Sequence, residues 1–266
     1  MGEGHSTIHE LIRTSWQMYA RFERQSFLVK PSIPILFFGD SSKYFSSRLK
    51  VITLGLNPSK AEFPEADRFS RFDAARSVYP RIIEGACYDE YLQALNGYFR
   101  KPPNDPYEKW FNSFEPLLKG LDCSYYGGTV NTAIHTDLCS PLATDPTWSK
   151  LPKDAQHRLF NCGTPLWHSL VKWLSPDLIV ASLARAHLER IPFPQQNGRP
   201  LAYTVERTVD GRNRRRPYRV ELTRLRMGNG SNTTLVFGEA ANTPFGTVSN
   251  DDKERIGRAL RSQIYG

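Results

Sequence analysis

The chain has 266 residues, 39% of them hydrophobic and 12% aromatic, enough to bury one sizeable core. Thirty-five Lys and Arg against 27 Asp and Glu leave a formal net charge of +8, which favours a polyanionic partner. No apolar run approaches the roughly 20 residues of a membrane span, and the polar start Met1–Glu10 does not read as a signal peptide, so a cytoplasmic protein without membrane contact is expected.

Apolar residues at helical spacing (Ile8, Leu11, Ile12, Trp16, Tyr19, Ala20) predict an amphipathic first helix over Ile8–Arg24. Ile33–Phe38 reads as a short strand or an apolar loop. Lys50–Leu54 is a buried strand that opens into Gly55-Leu56-Asn57-Pro58-Ser59. Gly55 permits close backbone approach, Pro58 stiffens the turn, and Asn57 is the only polar side chain between them. Ligands of open α/β sheets bind at such carboxyl ends; the competing reading is a turn with no duty.

Within the long stretch Lys60–Leu121, helical patterns occupy Tyr88–Phe99 and Tyr107–Leu121, separated by the turn signal Lys101-Pro102-Pro103-Asn104-Asp105-Pro106. Thr129–Leu138 reads as a second strand, Asp154–Leu174 as a helix, Leu178–Leu183 as a third strand and Ala184–Arg190 as a helix. Leu201–Thr208 and Tyr218–Arg226 alternate as paired strands would, around a basic tip containing Arg212, Arg214, Arg215 and Arg216. Thr234–Phe237 is the last strand and Asp251–Ile264 the last helix. Strands alternating with helices predict one α/β domain over residues 1–266, with a mainly parallel sheet covered on both faces. Cys87, Cys123, Cys139 and Cys162 form no C-x-x-C pair and are expected to be reduced and buried.

Gly55-Leu56-Asn57-Pro58-Ser59 resembles the first motif of the uracil-DNA glycosylase superfamily. It is closest to the Gly-x-Asn-Pro-Gly form of the mismatch-specific and single-strand-selective branches. Two looser matches follow in order. His135-Thr136-Asp137-Leu138-Cys139-Ser140-Pro141-Leu142 lies where those branches place an asparagine that reads the flipped base. Gly238-Glu239-Ala240-Ala241-Asn242-Thr243-Pro244-Phe245-Gly246 lies where they carry a loop that presses into the minor groove. The resemblance implies a three-layer α/β/α sandwich of the uracil-DNA glycosylase type and a monofunctional, monomeric glycosylase acting on double-stranded DNA. It implies no metal or other cofactor, and the cysteine spacing does not support the iron–sulfur cluster of some branches.

Residue by residue, the resemblance gives Asn57 and Asn242 catalytic duties: Asn57 positions the attacking water, and Asn242 stands in for an absent histidine on the departing base. Gly55, Leu56, Pro58 and Ser59 shape the base pocket, with Ser59 leaving room for a group on the pyrimidine five-position. An aromatic ring about 15 residues after the first motif stacks on the extruded base; Phe69 and Phe72 straddle that position and Phe72 is preferred. Asp137 replaces the base-reading asparagine. A carboxylate only accepts, which suits the exocyclic amine of cytosine better than uracil. Asn131, on the same strand face as His135 and Asp137, is a rival for that role.

Thr243 and the run Arg214-Arg215-Arg216 are expected to contact phosphates. Each has a plainer reading: Asp137 as a loop cap, His135 as a core histidine, the Asn242 segment as a turn, the basic run as a solvated tip. Together the substitutions point to a 5-substituted cytosine such as 5-hydroxymethylcytosine or its glucosylated form, found in the DNA of some phages. The alternatives are a uracil or mismatch repair enzyme and a catalytically silent DNA reader. A nucleotide-binding α/β enzyme has no G-x-G-x-x-G or P-loop to support it.

Overall fold

The structure, a computed structural model, describes residues 6–77, 79, 87–195, 200–227 and 231–265. Its strands are β1 (Val51–Gly55), β2 (Cys123–Ser124), β3 (Asn131–Thr132), β4 (Ile134–Asp137), β5 (Leu178–Ala181), β6 (Leu201–Arg207), β7 (Asn213–Arg226) and β8 (Asn232–Gly238). Its helices are α1 (Ile8–Phe22), α2 (Ser41–Ser46), α3 (Tyr88–Asn96), α4 (Glu108–Phe111), α5 (Glu115–Gly120), α6 (Lys153–Leu174) and α7 (Asn250–Tyr265). Six strands form a sheet in the order β4-β1-β5-β8-β7-β6, and β2 and β3 pair separately. The pairs β1–β5 and β5–β8 are parallel, while β8–β7 and β7–β6 are antiparallel. The fold is α/β, with the parallel strands β1, β5 and β8 at the centre of the sheet and the antiparallel β7 and β6 at one edge. Every residue of β1, β4 and β5 is buried, as strands covered on both faces require.

Residue contacts divide the chain into two compact units. The first comprises Met1–Ser42, Gly55–Tyr107 and Ile134–Ser175. In it α1 starts with a capping box, in which Thr7 accepts from the Glu10 amide while Glu10 reaches back to the Thr7 amide. The helix buries Leu11, Ile12, Trp16, Tyr19 and Phe22. Helix α6 packs so closely on the loop after β4 that a Cβ at Gly163 would lie 2.1 Å from the Cys139 carbonyl oxygen. Trp167 donates to Thr136 (3.1 Å) and Thr164 to the Leu138 carbonyl (3.2 Å), so α6 fixes the carboxyl end of β4 from below.

The second unit comprises Lys43–Leu54, Glu108–Ala133 and Pro176–Gly266. Helices α5 and α7 meet backbone to backbone: a Cβ at Gly257 would stand 2.1 Å from the Leu117 carbonyl oxygen. Arg185 forms a two-pronged ion pair with Glu221 (2.7 and 3.0 Å) and lies over the Phe237 ring.

Ile33–Phe38, read as a strand or an apolar loop, is a buried loop bridged to β4 at Phe38 and His135. Several other expectations are corrected here. The strand expected over Thr129–Leu138 breaks at Ala133, because Asn131 and Thr132 pair with Cys123 and Ser124 instead of continuing into β4. The helix expected over Tyr107–Leu121 is two short helices, α4 and α5. Ala184–Arg190 forms only a 3-10 turn, Arg185–Arg190. The basic run is not a tip. Arg214, Arg215 and Arg216 belong to β7, and the turn proper is 208–212. Pro217 is tolerated in that strand because it falls in the register shift opposite Val205–Arg207, where no ladder amide is required.

Candidate functional site

The carboxyl ends of β1 and β4 carry the densest collection of expected site residues, all within the first unit. The Leu138 amide donates to the Gly55 carbonyl (3.0 Å) and the Cys139 amide to Leu56 (2.8 Å), so the first two motifs run side by side. A Cβ at Gly55 would stand 2.4 Å from Asp137 Oδ1 and 2.9 Å from His135 Nε2. Glycine is thus required here by the close approach of two side chains. Leu56 is half-buried and Pro58 buried.

Asn57 is held by its nitrogen. Its Nδ2 lies 2.8 Å from the Pro58 carbonyl oxygen, 2.8 Å from Thr144 Oγ1 and 3.4 Å from the Leu142 carbonyl oxygen. Two of these are obligate acceptors, and the Thr144 hydroxyl spends its own proton on the Pro146 carbonyl (2.9 Å). The amide orientation is therefore fixed by its surroundings. Oδ1 takes no protein donor among the described residues, which leaves the half-buried Asn57 with one unspent acceptor. Ser59 has a local duty: its hydroxyl accepts from the Ala61 amide (3.2 Å) and caps the turn Lys60–Glu62.

Asp137 is almost fully enclosed, with 5% of its side chain exposed, and Oδ1 stands 3.8 Å from His135 Nε2. A second carboxyl lies in the same neighbourhood. Glu62 is 4% exposed, accepts from the Tyr98 hydroxyl and is packed beside aromatic rings. Burial pushes its pKa up to about 7; the Tyr98 hydrogen bond and the Arg71 charge pull the other way, and the negative charge of Asp137 adds to the rise. Glu62 therefore keeps its proton to a higher pH than an exposed carboxyl does. Tyr98 is pushed well above its ordinary range by burial and by Glu62, so it stays a donor. Glu62 went unnoticed in the sequence.

Phe72 is fully buried, stacked on Phe63 (5.4 Å between centroids, 20° between planes) and against Tyr98 at 5.0 Å. Phe69 is half-buried at the edge of the same cluster, 6.3 Å from Phe63. The structure therefore encloses the preferred ring and leaves its neighbour partly open.

The remaining expected residues belong to the second unit. Asn131 does not share a strand with His135 and Asp137. Its Oδ1 accepts from the Leu49 amide (3.0 Å) and its Nδ2 donates to the Asp122 carbonyl (3.1 Å), so both ends of the amide are committed to the fold. Asn242 is exposed at φ +52°, a left-handed conformation that Asn tolerates. The turn around it is tight: the Gly246 amide donates to the Thr243 carbonyl (3.0 Å), and a Cβ at Gly246 would meet the Ala241 carbonyl at 2.4 Å. Thr243 is half-buried within that turn. Arg214 Nε donates to the Arg207 carbonyl (2.8 Å), and its guanidinium also bonds Thr247 and covers Tyr218, so it braces the ribbon. Arg212, Arg215, Arg216 and Arg219 are exposed, and their side chains make no ion pair among the described residues.

Cys87, Cys123 and Cys139 are buried free thiols, whereas Cys162 is only half-buried. Among the described residues no group of three His, Cys, Asp or Glu is placed to hold a metal ion, and no helix is long and apolar enough to cross a membrane. No protein-family model matches the chain, and no curated protein matches it either.

Proposed function

We propose that the protein is a monofunctional DNA N-glycosylase, built on the three-layer α/β/α plan of uracil-DNA glycosylases, that extrudes and excises a 5-substituted cytosine. The observation that carries this reading is the pairing of the Gly55–Ser59 turn with Asp137 at the carboxyl ends of β1 and β4. One offers an unspent amide oxygen and the other an enclosed carboxylate.

Each group has a defined task. Asn57 Oδ1 accepts a hydrogen bond from the water that attacks C1′ as the bond from C1′ to the base nitrogen breaks. The bonding electrons leave with the base. An amide cannot take up the water's proton, which passes to the departing base or to solvent. Stabilisation of the sugar cation and the base must therefore supply most of the rate. Asp137 accepts from the exocyclic amine of cytosine. A neutral Glu62 spares Asp137 a second buried negative charge. The exposed Arg215 and Arg216 supply sequence-independent affinity for duplex DNA, phage DNA included.

The test is a set of duplexes identical except for one base: cytosine, 5-hydroxymethylcytosine, its glucosylated form, or uracil. After incubation without added metal, abasic sites are read by alkaline cleavage. A substituted cytosine should be released fastest, and Asp137→Asn should shift preference towards uracil. Matching the amine donor is worth about 1–3 kcal/mol of discrimination. Uracil released faster than every cytosine derivative would establish a repair enzyme instead. No abasic sites from any duplex, with binding retained, would establish a silent reader.

A further inference from the structure

Helix α7 has two differentiated faces. Ile256, Gly257 and Leu260 are buried, whereas Arg258, Arg261, Ser262 and Tyr265 recur at i, i+3, i+4 and i+7 on an exposed face. That second face lines a cavity of about 740 Å³ together with Arg48, Asp122 and Val130. The backbone contact of Gly120 and Gly257 fixes α5 against α7 and so fixes this wall.

The lining has a charge excess. Three guanidinium groups face the cavity with one carboxylate among its lining residues. Arg258 is paired with Glu254, and Arg261 reaches Asp122 only at 3.5 Å. Arg48 is exposed and makes no ion pair or side-chain hydrogen bond among the described residues. Tyr265 and Val130 leave 59% and 60% of their surface exposed, so a ring face and an aliphatic one are open to a ligand.

We propose that this cavity is a binding site for a nucleoside monophosphate, separate from the β1–β4 site and independent of the glycosylase reading. The volume lies in the range of small-molecule pockets. Guanidinium groups match phosphate oxygens in two-pronged geometry, and Arg48 and Arg261 are the two least committed to the protein. The Tyr265 ring offers a face for the base, and the Ser262 hydroxyl an additional polar partner.

Calorimetric titration of the full chain with AMP, adenosine and inorganic phosphate tests the site. AMP should bind saturably and more tightly than either fragment. Arg48→Ala should weaken AMP at least about tenfold, the loss of one charge-assisted hydrogen bond. Because Arg48 is exposed and unpaired, this variant should fold as the wild type does. Tyr265→Ala should weaken AMP while leaving inorganic phosphate unchanged. No saturable AMP binding by the wild type, or equal AMP affinity in Arg48→Ala, overturns the proposal.

Discussion

Replacing Glu62 by Gln keeps the shape of a buried side chain and removes its titration. Gln can still accept from the Tyr98 hydroxyl, so the variant isolates the charge. In the folded protein the carboxyl is raised from 4.5 to about 7, chiefly by burial. The sign follows from linkage: a raised folded-state pKa means the native state binds the proton more tightly. Its stabilising contribution is full below pH 4.5 and is lost as pH rises through about 7. At 1.36 kcal/mol per pKa unit, the difference amounts to about 3 kcal/mol. Urea unfolding at steps across this range should show wild-type stability falling relative to Glu62→Gln as pH rises. The two proteins should then run parallel above it. A stability difference that does not change with pH would mean that Glu62 titrates normally and that its enclosure carries no charge penalty.

Other substitutions probe the remaining parts. Gly55→Ala should lower stability, because the new methyl would stand 2.4 Å from Asp137 Oδ1 and 2.9 Å from His135 Nε2, two enclosed side chains with little room to give. In the protein that does fold, base release should collapse as the carboxylate is displaced; full activity per folded molecule in single-turnover assays would detach Asp137 from substrate recognition. Asn57→Ala should cost about 1–3 kcal/mol of stability by leaving the Pro58 carbonyl and Thr144 without their donor. It should also lower the single-turnover rate more than about tenfold, equivalent to 1.4 kcal/mol of barrier, and a smaller loss removes it from the chemistry. Arg215→Ala combined with Arg216→Ala should flatten the salt dependence of duplex binding by roughly 1.8, two phosphates at about 0.9 each. Arg214→Ala should instead lower the melting temperature through loss of its bonds to Arg207 and Thr247. An unchanged slope in the double variant places the ribbon away from DNA.

Elements with one dominant local signal were legible from the sequence. The 3.6-residue pattern of α1 and the long run of α6 appear within one or two residues of their expected ends, since amphipathic burial sets their length. The paired strands β6 and β7 were legible for the same reason, with alternation as the signal. Failures arise where a distant partner competes. Thr129–Leu138 is uniformly strand-like, but Cys123–Ser124 captures its first half, and no feature of the ten residues discloses that. The basic run looked like a turn because Pro217 and Gly211 punctuate it. A register shift lets the strand carry both its proline and its arginines.

The site divides along the same line. Gly55 and Asn57 were nameable because a strand end, a glycine and a polar residue in a tight turn are local facts, and Asp137 from the resemblance of its motif. What each group is free to do is not local. Asn57 could have faced either way until the Pro58 and Leu142 carbonyls and the Thr144 hydroxyl claimed its nitrogen, and only then does the oxygen become the end left for a ligand. Asn131 has the same amide, but Leu49 and Asp122 claim both ends, so neither is left unspent. Glu62 is the converse case. Within Ser59-Lys60-Ala61-Glu62 it reads as a solvated acid in the first turn of a helix, a favourable place for one. Phe63, Phe72 and Tyr98, arriving from as far as 36 residues along the chain, turn it into an enclosed acid whose proton is held near neutrality. What a side chain here is free to bind depends on which valences the fold leaves unspent, and residue type alone does not record that.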